Sequence, residues 1–183
     1  MLNKISNALF KNSVLSMISA LVIVGMISGY ALVYVYKYAT PKIEENIEKE
    51  TKKAISSIFP GTVTIEDDKD MFKAIDAKGE VLGYAFLAEG NGYQGTIKLI
   101  AGADKEMKKL SGFEVLESQE TPGLGAEIGN KAFKEQFRGL PLGKNIEYVK
   151  NRKPTKDNQI EAITGATISS RAVVNILNKK IRK

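Results

Sequence analysis

The chain has 183 residues, with 27 Lys and Arg against 21 Asp and Glu for a formal net charge of +6, and contains no His, Cys or Trp. Thiol nucleophiles, disulfides, thiolate metal sites, Ser-His-Asp triads and His-ligated haem are therefore excluded. What remains is carboxylate, Lys and hydroxyl chemistry, or a cofactor that brings its own reactivity.

No charge occurs between Lys11 and Lys37, a run of 25 residues from Asn12 to Tyr36. Residues 14–36 reach about 35 Å as a helix at ~1.5 Å per residue. That is enough to cross a hydrocarbon core of about 30 Å with modest tilt. Tyr30, Tyr34, Tyr36 and Tyr38 gather at the far end, as an interfacial aromatic belt does. A cleaved signal peptide has a shorter apolar run and a small-residue cleavage site. A buried soluble helix and a pilin-type assembly helix are the other readings of such a run. The pattern is read as a short N-terminus (1–13), a transmembrane helix (14–36) and one domain (37–183). Lys4 and Lys11 precede the span with no acid among them, which favours a cytoplasmic N-terminus. Gly25 and Gly29 form a GxxxG pair, which allows close helix approach but is also tolerated without a partner.

Thr40-Pro41 reads as the N-cap and first residue of a second helix. Ile43, Ile47, Ala54, Ile55 and Ile58 recur at helical spacing until Pro60-Gly61. Short β patterns follow at 62–66, 71–75, 81–88, 93–101 and 112–117, with turns expected at Asp76–Gly79 and Glu89–Gly92. A helix is expected over 131–137, strands over 146–149 and 159–163, and a last helix over 168–181. Strands followed by helices without regular βαβ alternation give an α+β domain.

Two segments stand apart. In Glu120-Thr121-Pro122-Gly123-Leu124-Gly125, two Gly flank one Leu behind a Pro. Such a loop can aim several N–H groups at one acceptor or let a planar ring lie on backbone, and equally it can be a tight connection. In Glu161-Ala162-Ile163-Thr164-Gly165-Ala166-Thr167-Ile168-Ser169-Ser170, a strand end passes into a helix. Free N–H groups and the helix dipole suit a phosphate there. The same hydroxyls at Thr167 or Ser169 serve as helix caps. No Gly-Lys-Ser/Thr follows a Gly-rich loop, so this is not a P-loop.

The segment Glu161 to Thr167 resembles the flavinylation motif of the FMN-binding domain family, Asp-x-x-Ser/Thr-Gly-Ala-Thr, with Glu161 where the family usually has Asp. Glu120 to Gly125 resembles the same family's Glu-Thr-Pro-Gly-Leu-Gly loop. With one N-terminal span and this length, the chain is similar to the G subunits of Rnf ion-translocating ferredoxin:NAD oxidoreductases, which are related to the C subunits of sodium-pumping NADH:quinone reductases. The resemblance implies an FMN joined covalently through its phosphate to Thr167 by a separate flavin transferase. It implies a cofactor site made of Glu120, Thr121, Pro122, Gly123, Leu124, Gly125, Glu161, Thr164, Gly165 and Ala166, with no catalytic residue and no metal. It also implies an extracytoplasmic domain on a single-pass protein of the cell membrane. The partners would be the other subunits of a complex that moves sodium or protons as electrons pass from ferredoxin to NAD.

A rival reading keeps the anchor and drops the flavin: an extracytoplasmic sensory or solute-binding domain. Nucleic acid is not an expected partner, because the charges alternate in sign and form no aromatic-interleaved basic stripe.

Overall fold

The computed structural model describes residues 2–68 and 71–181, with side chains described from residue 14 onward. The side chains of Lys4 and Lys11, on which the reading of the N-terminal flank rests, lie outside the described residues. Two compact units divide the chain, residues 1–48 and 49–183.

In the first unit the backbone belongs to helix α1, Leu2–Ile58. Large apolar side chains from Val14 to Tyr38 are exposed, and the helix is long and apolar enough to cross a membrane. No new helix starts at Thr40–Pro41: Pro41 sits inside α1. Proline brings no N–H to the helical ladder at that point. On the same turn the Thr40 hydroxyl donates to the Tyr36 carbonyl at 2.8 Å, a helical back-bond in place of the expected cap. Lys42 donates to the Tyr38 hydroxyl at 2.8 Å and lies 4.3 Å from the centre of that ring.

The second unit is built on a five-stranded antiparallel meander in the order β1-β2-β3-β4-β5. The strands are Thr64–Asp68, Met71–Ile75, Val81–Asn91, Thr96–Asp104 and Leu110–Ser118. The β2–β3 turn falls at Asp76–Gly79, where Asp76 Oδ1 accepts from the N–H groups of Lys78 and Glu80, each at 2.8 Å. The β3–β4 turn lies further out than expected. β3 continues to Asn91, and the tight turn runs from Gly92 to Gly95, with the Gly92 N–H donating to the Gly95 carbonyl at 2.7 Å. The carboxylate of Glu120, distant in sequence, accepts from two amides of this turn.

Alternation along the strands separates two cores. On one face, Ala74, Ala85 and Ile100 pack with Ala54, Ile55, Ile58 and Phe59 from the end of α1 and the residue that follows it. On the other, Phe86, Ile97, Leu99, Ala101 and Phe113 pack with Val173, Ile176 and Leu177 of the last helix. Phe113, Phe133 and Phe137 meet edge to face on this second side, with centroids 4.9–6.4 Å apart. The expected helix over 131–137 divides into a short α2, Lys131–Lys134, and a 3-10 turn, Glu135–Phe137. Strands β6 (Glu147–Val149) and β7 (Gln159–Glu161) form a separate parallel pair. The last helix, α3, spans Thr167–Ile181. Asn178 of α3 exchanges two hydrogen bonds with the backbone of Ile146, at 2.8 and 2.9 Å. The α+β architecture matches the expected class.

A Cβ on Gly83 would overlap the Phe59 ring and the Ala103 carbonyl. Gly83→Ala should therefore destabilise the domain by about 1–3 kcal/mol, read as a lower urea midpoint with an unchanged slope. Hydrogen bonds from Gln159 and Lys156 hold the Glu147 carboxyl below its usual range, and Lys144 does the same for Asp157. A depressed folded-state pKa contributes stability above the unfolded value and loses it as pH falls through the folded one. Amide protection at Glu147 and Gln159 should fall below about pH 4 while protection in β4 holds; equal loss in both would refute the local effect.

Candidate cofactor site

The two glycine segments fold as matching turns. Pro122 takes the second position of the turn Thr121–Leu124, and Gly123 takes the third at φ 74°. That is the positive φ a type II turn requires there. The N–H groups of Leu124 and Ala126 both donate to the Thr121 carbonyl at 3.1 Å, and a 3-10 turn, Gly125–Gly129, continues the chain. In the second segment the Ala166 N–H donates to the Ile163 carbonyl at 3.0 Å, with Gly165 at φ 82° in the same third position. α3 then begins at Thr167.

The turns meet. A Cβ placed on Gly165 would lie 3.3 Å from Leu124 Cδ2, so the leucine covers the glycine. A Cβ on Gly125 would overlap Glu120 Oε2 and come within 2.6 Å of Ser169 Oγ. Gly125 is therefore small because a carboxylate and a helix hydroxyl occupy the space where a side chain would go.

Glu120 is only 6% exposed. Its Oε1 accepts from the N–H groups of Tyr93 at 2.6 Å and Gln94 at 3.1 Å, and its Oε2 accepts from the Ser169 hydroxyl at 2.6 Å. One carboxylate thus joins the β3–β4 turn, the proline–glycine loop and the first turn of α3. Both of its oxygens are thus engaged by the protein itself.

The four hydroxyls of the second segment separate cleanly. Ser169 is committed to Glu120. Ser170 donates to the Ala166 carbonyl and accepts from the Ile163 N–H, each at 3.0 Å. Both serines are buried. Thr167, expected as a possible cap, is itself the first helical residue, and its hydroxyl makes no hydrogen bond among the described residues. Ser169 does not cap either, because the carboxylate captures its hydroxyl. Thr164 is exposed and Thr167 half-buried, so these two remain open to another molecule.

The segments that Glu120 joins carry three exposed apolar side chains: Tyr93 at 66%, Leu124 at 48% and Ile168 at 44%. The first turn of α3 contributes no acid of its own, the Glu120 carboxylate that reaches it is held by Ser169, and Arg171 stands one turn on. Glu161 is set apart on β7. Its N–H donates to Gln136 at 2.7 Å and its carbonyl accepts from Gln136 at 3.3 Å, while its carboxylate makes no hydrogen bond among the described residues. Sequence reasoning did not single out Tyr93 and Gln94, whose amides bind Glu120. The glycines on either side of Tyr93-Gln94 were the available signal. An open depression of about 380 Å³, lined by Phe59, Leu82, Asp104, Lys109 and Arg138 among others, lies at the opposite end of the sheet and shares none of these residues.

Residues 92–182 match the FMN-binding domain family. The chain is 31% identical over 176 residues to the G subunit of the ion-translocating oxidoreductase complex of Methanosarcina acetivorans, covering 90% of each chain. It is 29% identical to the G subunit of the proton-translocating ferredoxin:NAD(+) oxidoreductase complex of Clostridium ljungdahlii, covering 94% of this chain and 92% of that one. Among solved structures it resembles Shewanella oneidensis NqrC, at 19% identity and a TM-score of 0.56, with 66% of each chain covered. It also resembles the C subunit of the Na(+)-translocating NADH-quinone reductase of Parabacteroides distasonis, at 29% identity and a TM-score of 0.54, covering 60% of this chain and 57% of that one. The first structural likeness speaks to the fold, and the kinship with the Methanosarcina protein runs through nearly the whole length of both chains. The chain belongs to the family of G subunits of ion-translocating oxidoreductase complexes.

Proposed function

We propose that this chain is the electron-transfer subunit of a membrane-bound ferredoxin:NAD+ oxidoreductase complex that translocates sodium or protons, and that it carries its electrons on an FMN joined to Thr167 through a phosphoester. An FMN-binding domain behind an N-terminal helix of membrane-spanning length supports a membrane-anchored flavoprotein. The relatives in Clostridium ljungdahlii and Acetobacterium woodii are named as subunits of proton- and Na(+)-translocating ferredoxin:NAD(+) oxidoreductases, respectively. Those names are the ground for the reaction and for the other subunits as partners.

The observation that carries the attachment is the sorting of the hydroxyls. Two of the four are buried and committed to internal hydrogen bonds, and of the other two only Thr167 opens a helix. The first-turn N–H groups have no intrahelical partner and, with the helix dipole, favour a phosphate. Arg171 adds a positive charge on the same face, one turn along. When bound, FMN supplies an isoalloxazine ring that accepts and releases electrons. Gly165 and the Leu124 side chain keep the backbone there open on one side and covered on the other.

Ester formation makes an Oγ1–P bond as the bond from that phosphorus to a leaving group breaks, for example the second phosphate of a flavin dinucleotide. The hydroxyl proton must pass to a base. The chain has no His, and no titratable side chain hydrogen-bonds to Thr167 among the described residues. A separate flavin transferase therefore supplies the base, and this chain is its substrate. The domain from about residue 40 onward is assigned to the extracytoplasmic side, in keeping with the basic N-terminal flank, Lys4 and Lys11.

Thr167→Val keeps the β-branched shape and removes the hydroxyl. Coexpressed with a flavin transferase, it should lose all in-gel flavin fluorescence after denaturation while remaining folded and membrane-inserted. Thr164→Val should retain the attachment. Full fluorescence of Thr167→Val would refute the assignment. For topology, a Cys at exposed Lys105 (Lys105→Cys) should react with an impermeant maleimide in intact cells or spheroplasts. Labelling only after lysis would place the domain on the other side.

A further inference from the structure

The Glu120 carboxylate has a function that ligand contact does not explain. Gly92 and Gly125 both stand where any Cβ would overlap one of its oxygens, so the chain is shaped around it from two sides. It is buried with three hydrogen-bond donors and no cation among them: two backbone N–H groups on one oxygen and the Ser169 hydroxyl on the other. Charge-assisted hydrogen bonds of this kind are short and strongly directional. They fix the Tyr93–Gln94 turn against the first turn of α3, across 49 residues of sequence between Glu120 and Ser169 and 27 between Glu120 and Tyr93.

What the turn holds in place is a tyrosine. Tyr93 is two-thirds exposed and no ring stacks on it among the described residues, although its backbone is tied to a buried group. Single exposed apolar residues are ordinary. Here Tyr93, Leu124 and Ile168 stand exposed on three separate segments, and one carboxylate joins those segments at the helix turn that begins with Thr167. An aromatic ring offers a large contact face for little entropy loss, which suits a flat conjugated ligand.

We propose that Glu120 and Ser169 form a buried latch that positions Tyr93 as a wall of the cofactor site, against the flat ring of the group carried on Thr167. Glu120 and Ser169 are positioning residues, and Tyr93 is the contact. The inference rests on the attachment at Thr167 and extends it to residues outside both glycine turns.

Flavin fluorescence separates this from a merely structural role, because a tyrosine in contact with a flavin ring quenches its emission. The full chain is coexpressed with the flavin transferase, purified in detergent and compared at equal flavin content. Tyr93→Leu should raise the fluorescence yield severalfold with no loss of thermal stability. Ser169→Ala should raise it in the same direction. The double variant should show no more than Tyr93→Leu alone, since both changes act through one contact. Glu120→Gln should keep a yield near that of the unaltered protein, because its amide oxygen can accept the two N–H groups while its NH2 donates to Ser169. Glu120→Ala should resemble Tyr93→Leu; if it does not fold, Ser169→Ala carries the comparison. An unchanged yield in Tyr93→Leu, or strictly additive effects in the double variant, would overturn the latch. Covalent flavin absent from the unaltered protein would overturn the attachment and the latch together, whereas flavin present with unaltered quenching overturns the latch alone.

Discussion

The geometry of the cofactor end depends on the buried carboxylate of Glu120. Three segments with no strand pairing between them, the Gly92–Gly95 turn, the loop after β5 and the start of α3, converge on its two oxygens. Leaving any one of the three donors unpaired in the interior costs about 1–3 kcal/mol. Against a total stability of roughly 5–15 kcal/mol, that is enough to help order this end of the sheet. The neighbouring glycines follow from the same constraint. Gly92 and Gly125 give room to the carboxylate, while Gly123 and Gly165 supply the backbone conformations that bring Leu124 over the helix start.

With this end fixed, the attachment proposed at Thr167 has a physical basis. A helix N-terminus attracts phosphate but holds it weakly in water, and the effect falls off within one turn. Covalent attachment removes the dependence on that affinity. It also suits the proposed topology, in which a cofactor released outside the cytoplasm is not replaced from the cytoplasmic pool. The run from Asn12 to Tyr36 has no charged residue, so it offers no fixed charge within the apolar segment. Kinship with subunits of oxidoreductase complexes and the FMN-binding domain support electron carriage by this chain.

Much of this is legible in the residues. The apolar run, the meander and the amphipathic last helix follow from periodicities that local physics enforces, as Val173, Ile176 and Leu177 on one stripe show. The two glycine motifs are legible as turns because Pro122-Gly123 and Thr164-Gly165 fit the second and third positions of a type II turn. The failures share a cause in tertiary contacts. The β3–β4 turn lies at Gly92–Gly95 and not at Glu89–Gly92 because Gly90 lies against Ile176 and because Glu120, far along the chain, binds the amides of Tyr93 and Gln94. Ser169 reads as a cap by its position and instead serves that same carboxylate. Pro41 reads as a helix start, yet α1 runs through it with Thr40 bonded to Tyr36. Local rules name the hydroxyls and amides; which of them pair is decided by residues dozens of positions away.

The central claim is that one hydroxyl, and not its neighbours, carries the cofactor. The direct measurement is fragmentation mass spectrometry of the tryptic peptide Asp157–Arg171 from the native membrane-bound protein. That peptide contains Thr164, Thr167, Ser169 and Ser170 together. The account predicts a single flavin phosphate adduct on Thr167, with both serines unmodified because they are buried and hydrogen-bonded. An adduct on Thr164, Ser169 or Ser170, or an unmodified peptide from protein that is yellow in the membrane, would contradict it.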